Sequence, residues 1–384
     1  MSSLPITSLP LSRLLPLALV LTCACSDNTS VFPSPAVRDH SAMAAGACLS
    51  PVSPAEVHTY QPCHSSFTNH GRTIPDKTIA TTIDGTNQLT VTASTALAGA
   101  IASVKINEVE FIASGGHGAA FQWALHAHDA GECYNPTEAG SKTDDRRPNW
   151  DTPPYHGPST SYLYSIAGSS TQFQTVNRPA FYVPAGERSD YDGCTPSYPA
   201  GLPYDQNLSP YMIRKTVKVG RDSNPLNLDN IVTISTNITV ENPERSTNFD
   251  AVLIAYLQEQ FNTFYKYDPV SGLTEKVDLN TYATNPGIGV STKPIIISTA
   301  DGRYAMGLFV PPALNMVNQE TPLYYLGYSS GNNPSYPFQN QTLQVTYYAK
   351  NIEPGELQYK SYWAVGNLER VKTTLTTLYN SLGK

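Results

Sequence analysis

Apolar and polar residues alternate along much of this chain with the period of two that a half-buried strand requires. Gln88-Leu89-Thr90-Val91-Thr92-Ala93 is the first clean example. Residues 100–106 and 109–112 follow, joined by a tight turn at Asn107-Glu108. Further strands are predicted at 121–125, 162–166, 172–176, 180–183, 212–219, 231–240, 251–258 and 263–267. Others fall at 295–298, 305–310, 323–327, 343–348 and 357–365, with Ala300-Asp301-Gly302-Arg303 as a hairpin turn. Many short strands separated by Gly, Pro and Asn turns predict a mainly β fold, a large antiparallel β-sandwich spanning 81–384. No repeat of blade length is visible, which argues against a propeller.

One stretch changes period. Leu368, Val371, Leu375, Leu378 and Leu382 recur three and four apart, so one face of a helix over 367–382 is apolar. Asn367 is a good N-cap and Gly383 a good stop. The expectation is a C-terminal helix packed on a sheet.

Composition narrows the setting. Only 14% of the 384 residues are charged, with 31 prolines and 24 tyrosines, which suits an exported β protein with long ordered loops. The net charge of −7 offers no basic face for nucleic acid and no polybasic patch for anionic lipid. Arg13 and the apolar run 14–21, too short to span a bilayer, read as an export signal. Leu21-Thr22-Cys23-Ala24-Cys25 resembles a bacterial lipobox, with Thr22 where Leu is usual; cleavage before Cys25 would place a lipid on its sulfur. An ordinary secretory signal cut nearby is the alternative. Residues 26–80 read as a flexible tether and an irregular lead-in.

Four cysteines remain after the signal: Cys48, Cys63, Cys133 and Cys194. An even number in an oxidising compartment predicts two disulfides, and four cysteines allow three pairings. Cys48–Cys63 and Cys133–Cys194 are the favoured set. No metal-ligand spacing accompanies them, and neither metal nor cofactor is expected.

Candidate chemistry concentrates between Ser114 and Ser141. His117, Gln122, Trp123, His126, His128, Asp129, Glu132, Tyr134, Asn135 and Glu138 all fall there, among five glycines. Pro136 and the glycines shape a loop whose Glu132, Asn135 and Glu138 could converge on a polar ligand such as a sugar. Glu132 and Glu138, assisted by His117 or His128, are the candidate acid and base. Gln122, Trp123, Tyr134 and Asn135 are the candidate ligand contacts. Two alternatives stand beside this. His126 and His128 with Asp129 or Glu132 could hold a divalent metal. The loop carboxylates could instead cap their own backbone, in which case removing one destabilises the fold. Trp123, Trp150, Trp363 and tyrosines including Tyr155, Tyr162 and Tyr164 offer faces on which sugar rings stack. Gly327-Tyr328-Ser329-Ser330-Gly331 has the spacing of a nucleophile elbow, but the Pro-containing segment after it cannot open the helix an elbow needs.

At 131–141 (G-E-C-Y-N-P-T-E-A-G-S), 298–307 (S-T-A-D-G-R-Y-A-M-G) and 365–372 (V-G-N-L-E-R-V-K) the chain resembles a group of uncharacterised secreted bacterial proteins. Its strand-rich layout is remotely similar to the galactose-mutarotase-like supersandwich, which occurs in sugar epimerases, glycoside hydrolases and polysaccharide lyases. That resemblance implies a supersandwich-like fold and a carbohydrate ligand. The expectation is an exported protein of the bacterial envelope, lipid-anchored or secreted, that binds or processes carbohydrate at a polar cleft around 117–138. A non-catalytic surface lipoprotein that binds glycan or protein is the alternative, as is a structural lipoprotein without a small ligand.

Overall fold

Two antiparallel sheets face each other across the apolar rows that the alternation sets up. The computed structural model describes residues 67–69, 72–114, 120–127, 136–141, 159–182, 208–240, 248–278, 289–312, 323–329, 340–350 and 354–383. In chain order the first strands are β1 (Phe67–Asn69), β2 (Arg72–Ile74), β3 (Lys77–Ile83), β4 (Asn87–Ala93), β5 (Ile101–Ile106), β6 (Val109–Glu110), β7 (Phe121–Ala127) and β8 (Pro136–Thr137). Next come β9 (Tyr162–Gly168), β10 (Gln172–Arg178), β11 (Ala180–Phe181), β12 (Tyr211–Val219), β13 (Ile231–Val240), β14 (Asn248–Leu257), β15 (Thr263–Tyr267) and β16 (Thr274–Val277). The last are β17 (Gly289–Ser291), β18 (Ile295–Ser298), β19 (Ala305–Phe309), β20 (Leu323–Ser329), β21 (Asn340–Lys350) and β22 (Gly355–Gly366), followed by helix α1 (Leu368–Leu382).

One sheet has nine strands in the order β16-β15-β18-β19-β22-β13-β12-β10-β9. The other runs β17-β20-β21-β14-β7-β5-β4-β3, with β6, β8 and β11 attached beside it; β1 and β2 form a separate hairpin. The expected β-sandwich with a C-terminal helix is the fold.

Alternation sets which side chains face inward. On β13, Val232, Ile234, Ile238 and Val240 enter the core between the sheets; on β14, Phe249, Ala251, Leu253, Ala255 and Leu257 do so from the other side. Strands β18 and β19 are covered on both faces, so they read as nearly unbroken apolar runs. Ile295 and Ile297 point between the sheets, while Ile296 points to α1.

The helix lies on that outer face. Val371, Leu375 and Leu378 pack on Ile231, Ile296, Ala305, Phe309, Tyr362 and Ala364. Gly307 makes the close approach possible: a Cβ there would stand 2.6 Å from Val371 Cγ1. Asn367 caps the helix as expected, its Oδ1 accepting from the Arg370 amide at 2.9 Å. Arg370 pairs with Asp229, just before β13, and with Asp84, in the β3–β4 turn. The helix is thereby tied to both sheets.

Strands β1, β2, β3, β8, β16 and β17 fall outside the predicted set. Strand β3 begins at Lys77, inside the stretch read as irregular, because Thr81 occupies the position between Ile79 and Ile83 and breaks the apolar alternation. The hairpin β1–β2 is too short to show a period. On β16 only Val277 is buried, so its Thr-Glu-Lys-Val sequence shows no alternation. Strand β8 is a two-residue strand inside the stretch read as a loop.

Candidate functional site

Strand β12 carries a lysine where its pattern calls for a hydrophobe. Tyr211, Ile213, Lys215, Val217 and Val219 form its inward row, and Lys215 is fully buried. A buried ammonium needs a counter-charge and acceptors. Glu138, equally buried, supplies the charge from the turn after β8: Lys215 Nζ stands 2.5 Å from Glu138 Oε1. The Gly99 carbonyl accepts a second bond from Nζ at 3.1 Å.

Asn177, in the inward row of β10, completes the cluster. Its Nδ2 donates to Glu138 Oε1 at 3.1 Å and to the Ala98 carbonyl at 2.8 Å. Ala98 and Gly99 both have positive φ (48° and 90°), which turns their carbonyls toward these donors. The other carboxylate oxygen, Glu138 Oε2, accepts from the Trp123 amide at 3.2 Å, and the Glu138 amide donates to the Trp123 carbonyl at 2.9 Å. Burial pushes the Glu138 carboxyl up and the Lys215 ammonium down; the opposite charge of each partner works against these shifts. The result is an ion pair bridging the two sheets, since β12 belongs to one and β7 and β8 to the other.

The turn at 137–141 is the junction of several segments. Ala139 N donates to Gln122 Oε1 (2.9 Å), and Ser159 Oγ donates to the Ala139 carbonyl (2.7 Å). Ser161 Oγ donates to the Thr137 carbonyl and accepts from the Ala180 amide, while Ser141 N donates to Thr160 Oγ1. Thr137 Oγ1 also donates to the Gly140 carbonyl. Strand β8 lies between β7, through Ala124 and Thr137, and β11, through Thr137 with Ala180 and Pro136 with Phe181.

The candidate residues divide as follows. Glu138 is in the buried pair, bonded to the Trp123 backbone in the manner of a capping carboxylate. Trp123 stands between the sheets, with ring centroids 5.3 Å from Tyr359 and 5.9 Å from Tyr347, and its Nε1 donates to Thr236 Oγ1 across the core at 3.0 Å. Gln122 is buried and holds Ala139. These three lie on or beside β7 and β8, the strands that flank residues 128–135. His126 Nδ1 is 3.7 Å from Asp250 Oδ2. His117, His128, Asp129, Glu132, Tyr134 and Asn135 lie outside the described residues, as do Cys25, Cys48, Cys63, Cys133 and Cys194. Lys215 and Asn177 were missed by the sequence reading. The signal was present, because counting by two from Ile213 to Val217 passes through Lys215.

A second buried carboxylate lies apart from this cluster. Glu110 Oε1 accepts from the amides of Val104 (3.0 Å) and Ile112 (2.9 Å), and Oε2 from Ser103 Oγ at 2.5 Å. Burial pushes its carboxyl up to about 7, with those hydrogen bonds opposing the shift.

These features define a two-sheet antiparallel β-sandwich protein with a charged inter-sheet staple. No protein-family profile matches the sequence, and no curated protein matches it. Solved structures similar to it include heparan sulfate lyase HepC from Pedobacter heparinus, 11% identical over 76% of this chain and 35% of the lyase, TM-score 0.35. A Klebsiella pneumoniae protein provisionally assigned as an aldose 1-epimerase is 8% identical over 81% of this chain and 88% of its own, TM-score 0.36. A bacterial glucoamylase bound to acarbose is 11% identical over 77% of this chain and 33% of the enzyme, TM-score 0.34. The chain thus spans about a third of the length of the lyase and the glucoamylase it matches.

Proposed function

We propose that this protein binds or processes carbohydrate at the polar stretch 117–138. The observation that carries the reading is the Glu138–Lys215 pair at the base of the 128–135 connection. Strand β7 ends at Ala127 and β8 begins at Pro136, and the buried pair with the Trp123 main-chain bonds fixes both arms. The strands on either side of a connection rich in carboxylate, imidazole, amide and phenol groups are thereby held in place, as a ligand site requires of its scaffold. In this reading Glu132 with His117 or His128 supplies acid and base, and Tyr134 and Asn135 contact the sugar. Gln122, Trp123 and Glu138 position the connection from beneath.

An oligosaccharide array followed by product analysis tests the proposal, with Glu132→Gln beside the wild type. The expected result is lost turnover, or lost binding if the protein only binds, at an unchanged melting temperature. Destabilisation with unaltered glycan binding would end it.

The proposal includes export and a lipid on Cys25. Cys25→Ser should then move the protein from the membrane fraction to the soluble one; unchanged membrane retention and lipid labelling would refute the anchor. It also includes Cys48–Cys63 and Cys133–Cys194. Pairing of Pro136 with Phe181 supports the second, because the connections carrying Cys133 and Cys194 depart from these paired strands. Alkylation without reductant should leave all four unlabelled in mass spectra.

A further inference from the structure

Of the aromatic residues that the sequence offers as stacking faces, Trp150 and Tyr155 lie outside the described residues, and the others separate in the structure. Trp123 and Trp363 are core residues. Tyr164 is 38% exposed, and its ring lies against that of Tyr162, with centroids 4.7 Å apart and planes at 56°. Both sit on β9, an edge strand of the nine-stranded sheet.

The register shows why Tyr164 stands out. Thr175 pairs with Ile166 and Val176 with Ser165, but Asn177 pairs with Leu163, so the ladder skips Tyr164. It is the extra residue of a β-bulge, a device that re-aims a side chain. The bulge lets Leu163 and Ile166 both face inward, opposite Asn177 and Thr175. A bulge also blunts an edge against strand addition, and that role does not by itself call for an aromatic ring at the bulged position.

The bulge is coupled to the base of the proposed site. Asn177, opposite Leu163, donates to Glu138 Oε1. Ser161, which directly precedes Tyr162, donates to the Thr137 carbonyl. The tyrosine pair therefore begins where the base of the 128–135 connection is fixed.

We propose that Tyr162 and Tyr164 form a stacking subsite for a pyranose ring of an oligosaccharide. This rests on the carbohydrate reading above and deepens it. A pyranose presents an apolar CH face that an aromatic ring covers, while its hydroxyls stay hydrated or bonded to polar groups. Tyr164 offers the exposed ring, and Tyr162 packs against it and holds it in place.

The test is titration of the strongest-binding oligosaccharide from an array of neutral, aminated and uronate-containing glycans. Wild type is compared with Tyr164→Ala, Tyr162→Ala, Tyr164→Phe and Glu132→Gln, each checked by thermal melting. Tyr164 is exposed, so Tyr164→Ala should melt as wild type, and Tyr162→Ala removes the ring that holds it. Each alanine variant should weaken binding by about tenfold or more, and Tyr164→Phe should keep the affinity because the ring face is retained. Folded alanine variants with wild-type affinity would overturn the subsite; if Glu132→Gln still loses function, the carbohydrate reading survives. Wild type that binds no glycan overturns both.

Discussion

Lys215 Nζ and Glu138 Oε1 stand 2.5 Å apart with both side chains fully buried, joining the nine-stranded sheet to the turn beside β7. A hydrophobic pair of the same volume would often hold the sheets as well. What the charges add is direction: Glu138 also receives Asn177 and the Trp123 amide, so the turn has one position relative to both sheets.

The pair should behave as a coupled unit. Lys215→Met leaves a buried carboxylate without its counter-charge, and Glu138→Gln leaves a buried ammonium; each should cost about 3–5 kcal/mol of unfolding free energy. The double variant should lose much less than the sum, because no unpaired charge remains. A denaturant-melt double-mutant cycle measures this, and additive losses would show the two groups to be independent.

Glu110 should make stability pH-dependent. Its folded carboxyl titrates at about 7 against an ordinary 4.5, so between these values the folded chain holds a proton that the unfolded chain has released. Its contribution is fully present below pH 4.5 and is lost as pH rises to about 7, amounting to about 3 kcal/mol. Glu110→Gln keeps an oxygen for the Val104 and Ile112 amides and removes the titration. Urea melts across pH 4 to 8 should show a shallower decline in this variant; parallel curves would disprove the assignment.

Gly307→Ala should unseat the helix. The new methyl would meet Val371 Cγ1 at 2.6 Å and Leu375 Cδ1 at 2.9 Å, so α1 must shift outward. Overpacking of this kind costs roughly 1–3 kcal/mol. A lowered melting temperature with faster amide exchange in 368–382 is the expected result, and wild-type exchange there would contradict it.

Asn367→Ala tests the helix from its other constraint. Losing the Oδ1 bond to the Arg370 amide should cost about 1 kcal/mol. Asn367→Asp should restore most of it, since aspartate caps as well.

Legibility followed chemistry. Strands such as β13 and β4 alternate hydrophobes with polar residues, and the helix shows one apolar face, so the sandwich and α1 can be read from the sequence. Strand β3 could not be, because Thr81 breaks its row: the Gly220 backbone packs so closely there that an added Cβ would meet Thr81 Oγ1 at 2.4 Å. At the site, local density of polar residues pointed to 114–141 but not to what lies beneath. Glu138 is 77 residues from Lys215 and 39 from Asn177, and no local pattern reports a partner at that distance. Trp123 stood out as an aromatic in a polar stretch, yet its strand alternation places it inward with Phe121 and Leu125.

Strand β22 lies fifth of nine in its sheet, yet it is the last strand in the chain among the described residues. On one side of it are β19, β18, β15 and β16; on the other are β13, β12, β10 and β9. Among the described residues the two half-sheets pair only through it. At ordinary ribosomal speeds of 5–20 residues per second, roughly 20–70 s pass before residue 366 is made. Until then each half carries an open ladder edge, along β19 and along β13, with the unbonded amides and carbonyls that invite mispairing. The nascent chain is thus a ring binder closed by its last page.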